Sequence, residues 1–481
     1  MESEITCKGN IFFANNQVSL SARILNEALE SLSFEPHPRQ LSVLAAACDF
    51  AVNGEPSDVF VLNGYAGSGK TSVIGALIKG LDRFRRRVIV LAPTGRAAKV
   101  ASSLSSHPAS TIHRRIFRPN PSDPAGRSWL LARNDKVNTL FIVDEASLIG
   151  DSPEMGASGL LGSLVRYVYS APGCRLLLVG DEAQLPPVGQ EKSYAMNPDR
   201  LSSFGLNPLY HTLDVPLRQE GGSGIVFNAD IVRRRIDAAA QPTFPELSIT
   251  RFPEMEMISS ASLADSLADS FAGVGEEETL VVTRSNRRAN DFNRAIRNMV
   301  MFAEDPLERG DRLVISKNDY FWGKRNKTSG LIANGETATV TWVGKTEKMY
   351  GRFFTETELL LSDGSIITAQ IMLRSLVCDG PSIPTAEMQR FYNVVISECE
   401  GELSERIMAV QNDPYYNALQ VKYAYCVTCH KAQGGQWKHV YIDMGGITPD
   451  SMGPEFYKWL YTALTRATEK VFLINSPLPY V

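Results

Sequence analysis

Val59-Phe60-Val61-Leu62-Asn63-Gly64-Tyr65-Ala66-Gly67-Ser68-Gly69-Lys70-Thr71 is an apolar run that breaks into glycines and ends in Lys-Thr. Its spacing, Gly64-x4-Gly69-Lys70-Thr71, is that of a phosphate-binding P-loop. Glycines let the backbone N–H groups of Ala66, Gly67, Ser68 and Gly69 curl round phosphates. Lys70 reaches the β and γ oxygens, and the Thr71 hydroxyl binds Mg²⁺. Such a loop needs a buried strand before it and a helix after it, because the helix N-terminus adds its dipole to the anion site. Val59 to Leu62 and Ser72 to Lys79 supply both. The plainer alternative is a glycine-rich strand-to-helix turn with no nucleotide.

At 481 residues the chain is too long for a single core, so several domains are expected. Hydrophobic content of 44% with 21% charged residues is that of a folded soluble protein. Met1-Glu2-Ser3-Glu4-Ile5 has neither a basic n-region nor a following apolar core, and no stretch is apolar enough to span a membrane. A cytoplasmic location with no membrane contact is the expectation. Cys426 and Cys429 form a C-x-x-C without the second pair a zinc site needs, so reduced thiols are expected. A net charge of -4 argues neither for nor against nucleic acid, because an acidic whole can contain a basic channel. Three basic clusters stand out: Arg83 to Arg87, His113 to Arg118, and Arg233-Arg234-Arg235. Each by itself is more often a solvated helix end than a binding site.

Upstream of the P-loop, apolar positions at helical spacing over Val18 to Leu32 predict an amphipathic helix, and a second helix begins near Arg39-Gln40. The Gln40 amide offers a donor and an acceptor suited to an adenine edge, although a helix-surface residue is the commoner role. Downstream, Arg87 to Ala92 reads as a buried strand whose exit, Thr94-Gly95-Arg96, is suited to hold a phosphate of a polymer. Ser110 to Lys136 has poor periodicity and suggests a small insertion. Thr139 to Val143 is another buried strand, and it ends in Asp144-Glu145. There an Asp holds Mg²⁺ and a Glu orients or deprotonates the attacking water. A further strand leads to Gly180-Asp181-Glu182-Ala183-Gln184-Leu185-Pro186-Pro187, with Gln184 placed to sense the γ-phosphate. Strand–helix alternation over 55–215 predicts a mostly parallel sheet.

A second α/β unit is expected from Glu278 to Asn286 and again from Ala424 onward. Between them, 310–376 shows short β-rich segments with turns such as Asn334-Gly335 and Asp363-Gly364, the pattern of a small inserted β-barrel. Residues 381–419 read as helical with no assignable chemistry. Trp459 to Ala467 is an amphipathic helix that delivers Arg466, a candidate finger for the transferred phosphoryl group, with Arg218 its partner.

Taken in order, these motifs resemble the superfamily 1B helicases, the 5′ to 3′ branch that includes the RecD-like and Dda-like enzymes, and the likeness runs from Gln40 to Arg466. It implies two RecA-like P-loop motor domains, a small inserted pin domain and an inserted SH3-like β-barrel. The first motor domain would be 1–215, with the pin-like insertion at about 105–137. The second would be 216–310 with 424–481, and the SH3-like insertion 311–423, elaborated by helices over about 381–419. The resemblance assigns catalysis to Lys70, Asp144, Glu145, Gln184, Arg218 and Arg466, Mg²⁺ to Thr71 and Asp144, and ATP to Gln40, Gly64 to Thr71 and Gly434. It assigns single-stranded DNA to Thr94, Arg96, Thr111, His113, Thr428, His430 and Lys431, through contacts mainly to phosphates. Relatives place an acidic residue where this chain has Gln436, and the pin region lacks a clear hairpin signature. The implied activity is ATP-dependent translocation and unwinding of tailed duplex DNA by a monomer, beside recombination or replication proteins. The same motor on RNA, or an ATP-gated scaffold without unwinding, are the alternatives.

Overall fold

Asp58–Gly64 is buried along its whole length, as a strand covered on both faces must be. In the computed structural model, which describes residues 19–105, 107–120, 129–150, 159–214, 223–237, 243–326, 331–448 and 451–477, it lies in a six-stranded parallel sheet. The spatial order is Ala109–Thr111, Arg87–Ala92, Thr139–Val143, Arg175–Gly180, Asp58–Gly64, Asn207–Leu213. Phe60 and Leu62 enter a core shared with helices Leu20–Glu30, Pro38–Asn53 and Lys70–Arg83. Val59 and Val61, pointing the other way, enter one shared with helix Gly159–Tyr169. The loops at the C-terminal ends of these strands therefore meet along one edge, where open α/β sheets bind ligands.

A second parallel sheet has the order Cys426–Thr428, Thr279–Thr283, Trp437–Asp443, Ala467–Ile474, Met255–Ile258. Met255–Ile258 is an edge strand that the sequence pattern does not announce. Its four residues alternate only weakly and follow a stretch rich in proline and turn residues. Helix Gly224–Asp237 packs on helix Pro454–Leu464, and Ile225, Ala229 and Val232 join this unit's core.

Between the halves of the second sheet, the chain forms an antiparallel sheet ordered Ile366–Met372, Arg352–Leu361, Thr337–Met349, Arg312–Ile315, Val421–Tyr423. Its long hairpin turns at Tyr350-Gly351, both with positive φ (51° and 73°), the geometry that matches strand twist. Residues 381–419 contain the helices Thr385–Glu398 and Leu403–Asn412, which share a separate small core with Phe354 and Met372 of that sheet. Within 105–137 an antiparallel ribbon pairs Phe117–Pro119 with Trp129–Leu131, although its sequence carries no hairpin signal. Trp129 packs on Tyr320 with ring centroids 5.2 Å apart, and Arg114 pairs with Asp363 at 3.5 Å, so this ribbon region touches the antiparallel sheet domain. No described helix is long and apolar enough to cross a membrane. Cys426 and Cys429 are buried free thiols, and no group of three or more His, Cys, Asp or Glu suited to a metal occurs among the described residues.

Candidate nucleotide cleft and nucleic-acid face

The P-loop follows directly from its glycines. Gly67 and Gly69 have φ of 76° and 87°, a region where other residues are strained, and Gly69 caps helix Lys70–Arg83. A Cβ at Gly64 would fall 2.7 Å from Lys70 Cγ, so the lysine can fold across the loop only because position 64 is glycine. Lys70 Nζ donates to the carbonyls of Gly64 and Tyr65. Ser68 Oγ is buried and has no partner among the described residues. Lys70, Thr71 and Asp144 line one small pocket at the head of the helix. A cradle of N–H groups, an orphan hydroxyl, an ammonium and a hydroxyl–carboxylate pair fit a nucleotide phosphate with its divalent cation.

Gln40 is buried, not on the helix surface as its commoner role would have it, and its amide is used at both ends. Nε2 donates to Ser68 O at 3.1 Å, and Oε1 accepts from His37 N at 3.2 Å in a capping box. It thereby fastens the helix Pro38–Asn53 to the P-loop. Asp144 ends its strand with Oδ1 accepting from Glu145 N at 2.9 Å. Burial, reinforced by the neighbouring Glu145, pushes its carboxyl up to about 6. Glu145 has φ of 52°, a strained conformation for a residue with a side chain, and strain of this kind concentrates at functional sites.

The second unit closes over this edge. Tyr461 donates its hydroxyl to Asp181 Oδ2 at 2.7 Å and accepts from the P-loop Ala66 N at 2.8 Å. Its neighbour Thr462 accepts at Oγ1 from Leu185 N at 2.8 Å, and Gln433 Nε2 donates to Leu185 O at 2.6 Å. Both backbone groups of Leu185, the residue after Gln184, are thus held across the interface. Val226 covers Gly67, and Arg233 lies with Cζ 4.3 Å over the Tyr65 ring. Neither Tyr461 nor Thr462 stands out in the sequence as a site residue. Their one signal is two polar groups on adjacent positions in the apolar C-terminal half of the helix Pro454–Leu464. The triplet Arg233 to Arg235 also divides: the Arg233 side chain is 15% exposed and that of Arg234 72%, so only the latter fits a solvated helix end.

Three assigned residues lie elsewhere than expected. Arg466 is buried and spends its guanidinium inside its own unit, on Thr462 O, Gly435 O and Thr465 Oγ1. A buried charge must be paired, and here the carbonyls at a helix end pair it before the cleft can. Gly434 does not border the P-loop: a Cβ there would fall 2.8 Å from Ala97 Cβ and 3.4 Å from Thr94 Oγ1. Its φ of 71° and this close approach explain the glycine. Arg96 is not an open phosphate contact. It stacks on the Trp437 ring at 3.7 Å, and burial pushes its guanidinium down to about 9. Arg218 lies outside the described residues.

The remaining nucleic-acid candidates line strand ends. Thr94 Oγ1 accepts from Ala97 N and Thr111 Oγ1 from Arg114 N, each at 3.2 Å, so both cap helices and keep the hydroxyl proton available to donate. Thr428 ends the strand Cys426–Thr428 and begins the short helix that carries His430 and Lys431. Burial drives His113 down to about 4, so at neutral pH it offers a neutral imidazole. Burial also lowers Lys431 to about 8, with Lys422 repelling it, which leaves it mostly charged at pH 7. Contact between Gly434 and the Thr94 loop brings the candidate faces of the two units side by side.

The chain matches the AAA domain family model over residues 44–203 and the UvrD-like helicase C-terminal domain model over residues 423–474. An uncharacterized protein of Acanthamoeba polyphaga mimivirus is 24% identical over 496 residues, covering 88% of this chain and 97% of that protein. The ATP-dependent RecD2 DNA helicase of Deinococcus radiodurans is 24% identical over 431 residues, covering 86% of this chain and 47% of that protein. The chain thus spans nearly all of the viral relative and less than half of the bacterial one. A solved structure of Bacteroides Pif1 bound to ssDNA is 17% identical, with a TM-score of 0.46 over 92% of each chain. The order of the two models, a nucleotide-binding unit followed by a helicase C-terminal unit, agrees with the motif order.

Proposed function

We propose that this chain is a superfamily 1B helicase, an ATP-driven motor that moves 5′ to 3′ on single-stranded DNA and unwinds duplex ahead of it, a reading supported by its motif order and by the matches to an AAA domain and a UvrD-like helicase C-terminal domain. The observation that carries the reading is one shared interface: the helix that touches the P-loop through Tyr461 also grips Leu185 through Thr462. Nearby, Gly434 abuts the Thr94 loop. A change at the phosphates is thereby linked mechanically to the loops offered to the strand. Mg²⁺, held by Thr71 and Asp144, would supply charge neutralisation at the phosphoryl oxygens. Lys70 binds the phosphate chain, Glu145 orients the water and takes its proton, and Gln184 senses the γ-phosphate. The ribbon Phe117–Pro119 with Trp129–Leu131 serves as the strand-separating pin, and the antiparallel sheet domain that touches it serves as the SH3-like domain.

The test is ATPase activity with and without single-stranded DNA or RNA, followed by unwinding of duplexes with a 5′ or a 3′ tail. DNA-stimulated hydrolysis and unwinding from the 5′ tail are expected. Unwinding confined to 3′ tails would overturn the polarity, and RNA-only stimulation would overturn the substrate. Lys70→Ala is expected to cut kcat by about 10²-fold or more while DNA binding persists.

A further inference from the structure

A cavity of about 260 Å³, distinct from the pocket formed by Lys70, Thr71 and Asp144, lies where the two α/β units meet. Ser147, Gln184, Ser193 and Lys192 face it from the first unit, and Lys458 from helix Pro454–Leu464 of the second. Ser147 Oγ, Gln184 Oε1 and Ser193 Oγ have no hydrogen-bond partner among the described residues, although these residues are only 2%, 6% and 6% exposed. An unmet buried polar atom is costly, so three around one cavity mark a place that water or a ligand completes. Neither Lys192 nor Lys458 forms an ion pair among the described residues.

Two carboxylates also border the cavity; each accepts from neutral donors, and the charge of each also acts on Lys458. Asp181 accepts from Tyr461 Oη at 2.7 Å and from Ala183 N at 3.0 Å. Glu182 Oε2 accepts from Tyr210 Oη at 2.6 Å and from Asn63 Nδ2 at 3.2 Å. Beside them the cavity offers two ammonium groups, two unpaired hydroxyls and one amide oxygen. That set suits a small tetrahedral oxyanion: the ammonium groups offset the two carboxylates and donate to its oxygens, the hydroxyls donate as well, and the amide oxygen accepts from a protonated one. The volume leaves room for such an ion with several waters at about 30 Å³ each.

We propose that this cavity binds inorganic phosphate, the product released when ATP and water give ADP, phosphate and a proton. The inference rests on the ATPase reading above. The Tyr461 hydroxyl, shared between Ala66 N and Asp181, links the cavity wall to the P-loop, and Gln184 faces the cavity from the loop that the second unit grips. Because Lys192 and Lys458 belong to different units, phosphate held between them keeps the cleft closed until it leaves.

The test uses the full chain and inorganic phosphate as the probe. Product inhibition of the ATPase is measured for the wild type, Lys192→Gln and Ser193→Ala, alongside direct calorimetric titration of phosphate without nucleotide. Phosphate should inhibit the wild type, with the inhibition constant rising about tenfold in Lys192→Gln, a loss of about 1.4 kcal/mol. KM for ATP and affinity for single-stranded DNA should stay within about twofold of wild type. An inhibition constant unchanged in both variants overturns the proposal. A parallel loss of DNA affinity also overturns it, because the anion would then be a backbone phosphate of the strand. If the wild type shows no ATP turnover, the functional reading fails, and the calorimetric titration still decides whether the cavity holds phosphate.

Discussion

At the residue scale, single polar atoms join the nucleotide loop to the rest of the molecule. Tyr461 is the clearest case: its one hydroxyl, from the second unit, serves a P-loop N–H and a buried carboxylate that both belong to the first. Tyr461→Phe keeps the ring and removes both bonds, leaving Asp181 short of a donor. The expected loss is about 1–3 kcal/mol of stability, measured by denaturant unfolding, with a changed KM for ATP. No change in either quantity would mean that the hydroxyl does not couple the units. His113 yields a pH prediction. Its folded pKa of about 4 lies below the ordinary 6.5, so the unfolded chain binds the proton first. This neutral histidine therefore supports the fold fully above pH 6.5, and the support is lost as pH falls from 6.5 towards 4. His113→Asn should flatten that part of the stability–pH curve, which thermal unfolding across the window would reveal. The P-loop residues could be read from the sequence because backbone geometry alone demands glycine there. Arg96 could not, because its partner Trp437 is distant in the chain and its burial depends on how the units meet.

At the element scale, the strands Asp58–Gly64, Thr139–Val143 and Arg175–Gly180 are evident in the sequence, since a central parallel strand is apolar throughout. The ribbon Phe117–Pro119 with Trp129–Leu131 is not. Three-residue strands carry no usable periodicity, and Trp129 packs against Tyr320 of another domain. The helices Thr385–Glu398 and Leu403–Asn412 acquire a purpose only when seen packed on the long hairpin, where Phe391 meets Phe354, Tyr350 and Tyr416. Phe391→Ala should cost about 3–5 kcal/mol, by analogy with other large-to-small core substitutions. Because this core is separate from those of the two parallel-sheet units, calorimetry should show the loss while ATPase without DNA stays near wild type. An equal fall in ATPase would show that the helical elaboration is coupled to the motor.

At the scale of the whole molecule, the grip on Leu185 is one of the contacts that join the two units, and the proposed motor would use it. Thr462→Val and Gln433→Ala each remove one of its two bonds across the interface. The double variant is expected to lose about 5- to 30-fold of the stimulation of ATP hydrolysis by single-stranded DNA, the range of a coupling free energy of about 1–2 kcal/mol. Intrinsic nucleotide binding should remain, as followed by a fluorescent ATP analogue. Full DNA stimulation in the double variant would remove Leu185 from the coupling path.

The sequence by itself determined the P-loop, the Asp144-Glu145 carboxylates, the alternation of strand and helix and the place of the β-rich insertion. Each of these is written in local spacing, whether as glycines where backbone must approach phosphate or as apolar runs where strands are covered twice. Only the tertiary structure decided which side chains cross the cleft. Tyr461, Thr462 and Gln433 reach the first unit, whereas Arg466 turns back to its own carbonyls. The physical reason is burial. A guanidinium shut away from water takes the nearest acceptors, and which acceptors are nearest depends on how two separately folded units dock, a relation that spacing along the chain does not encode.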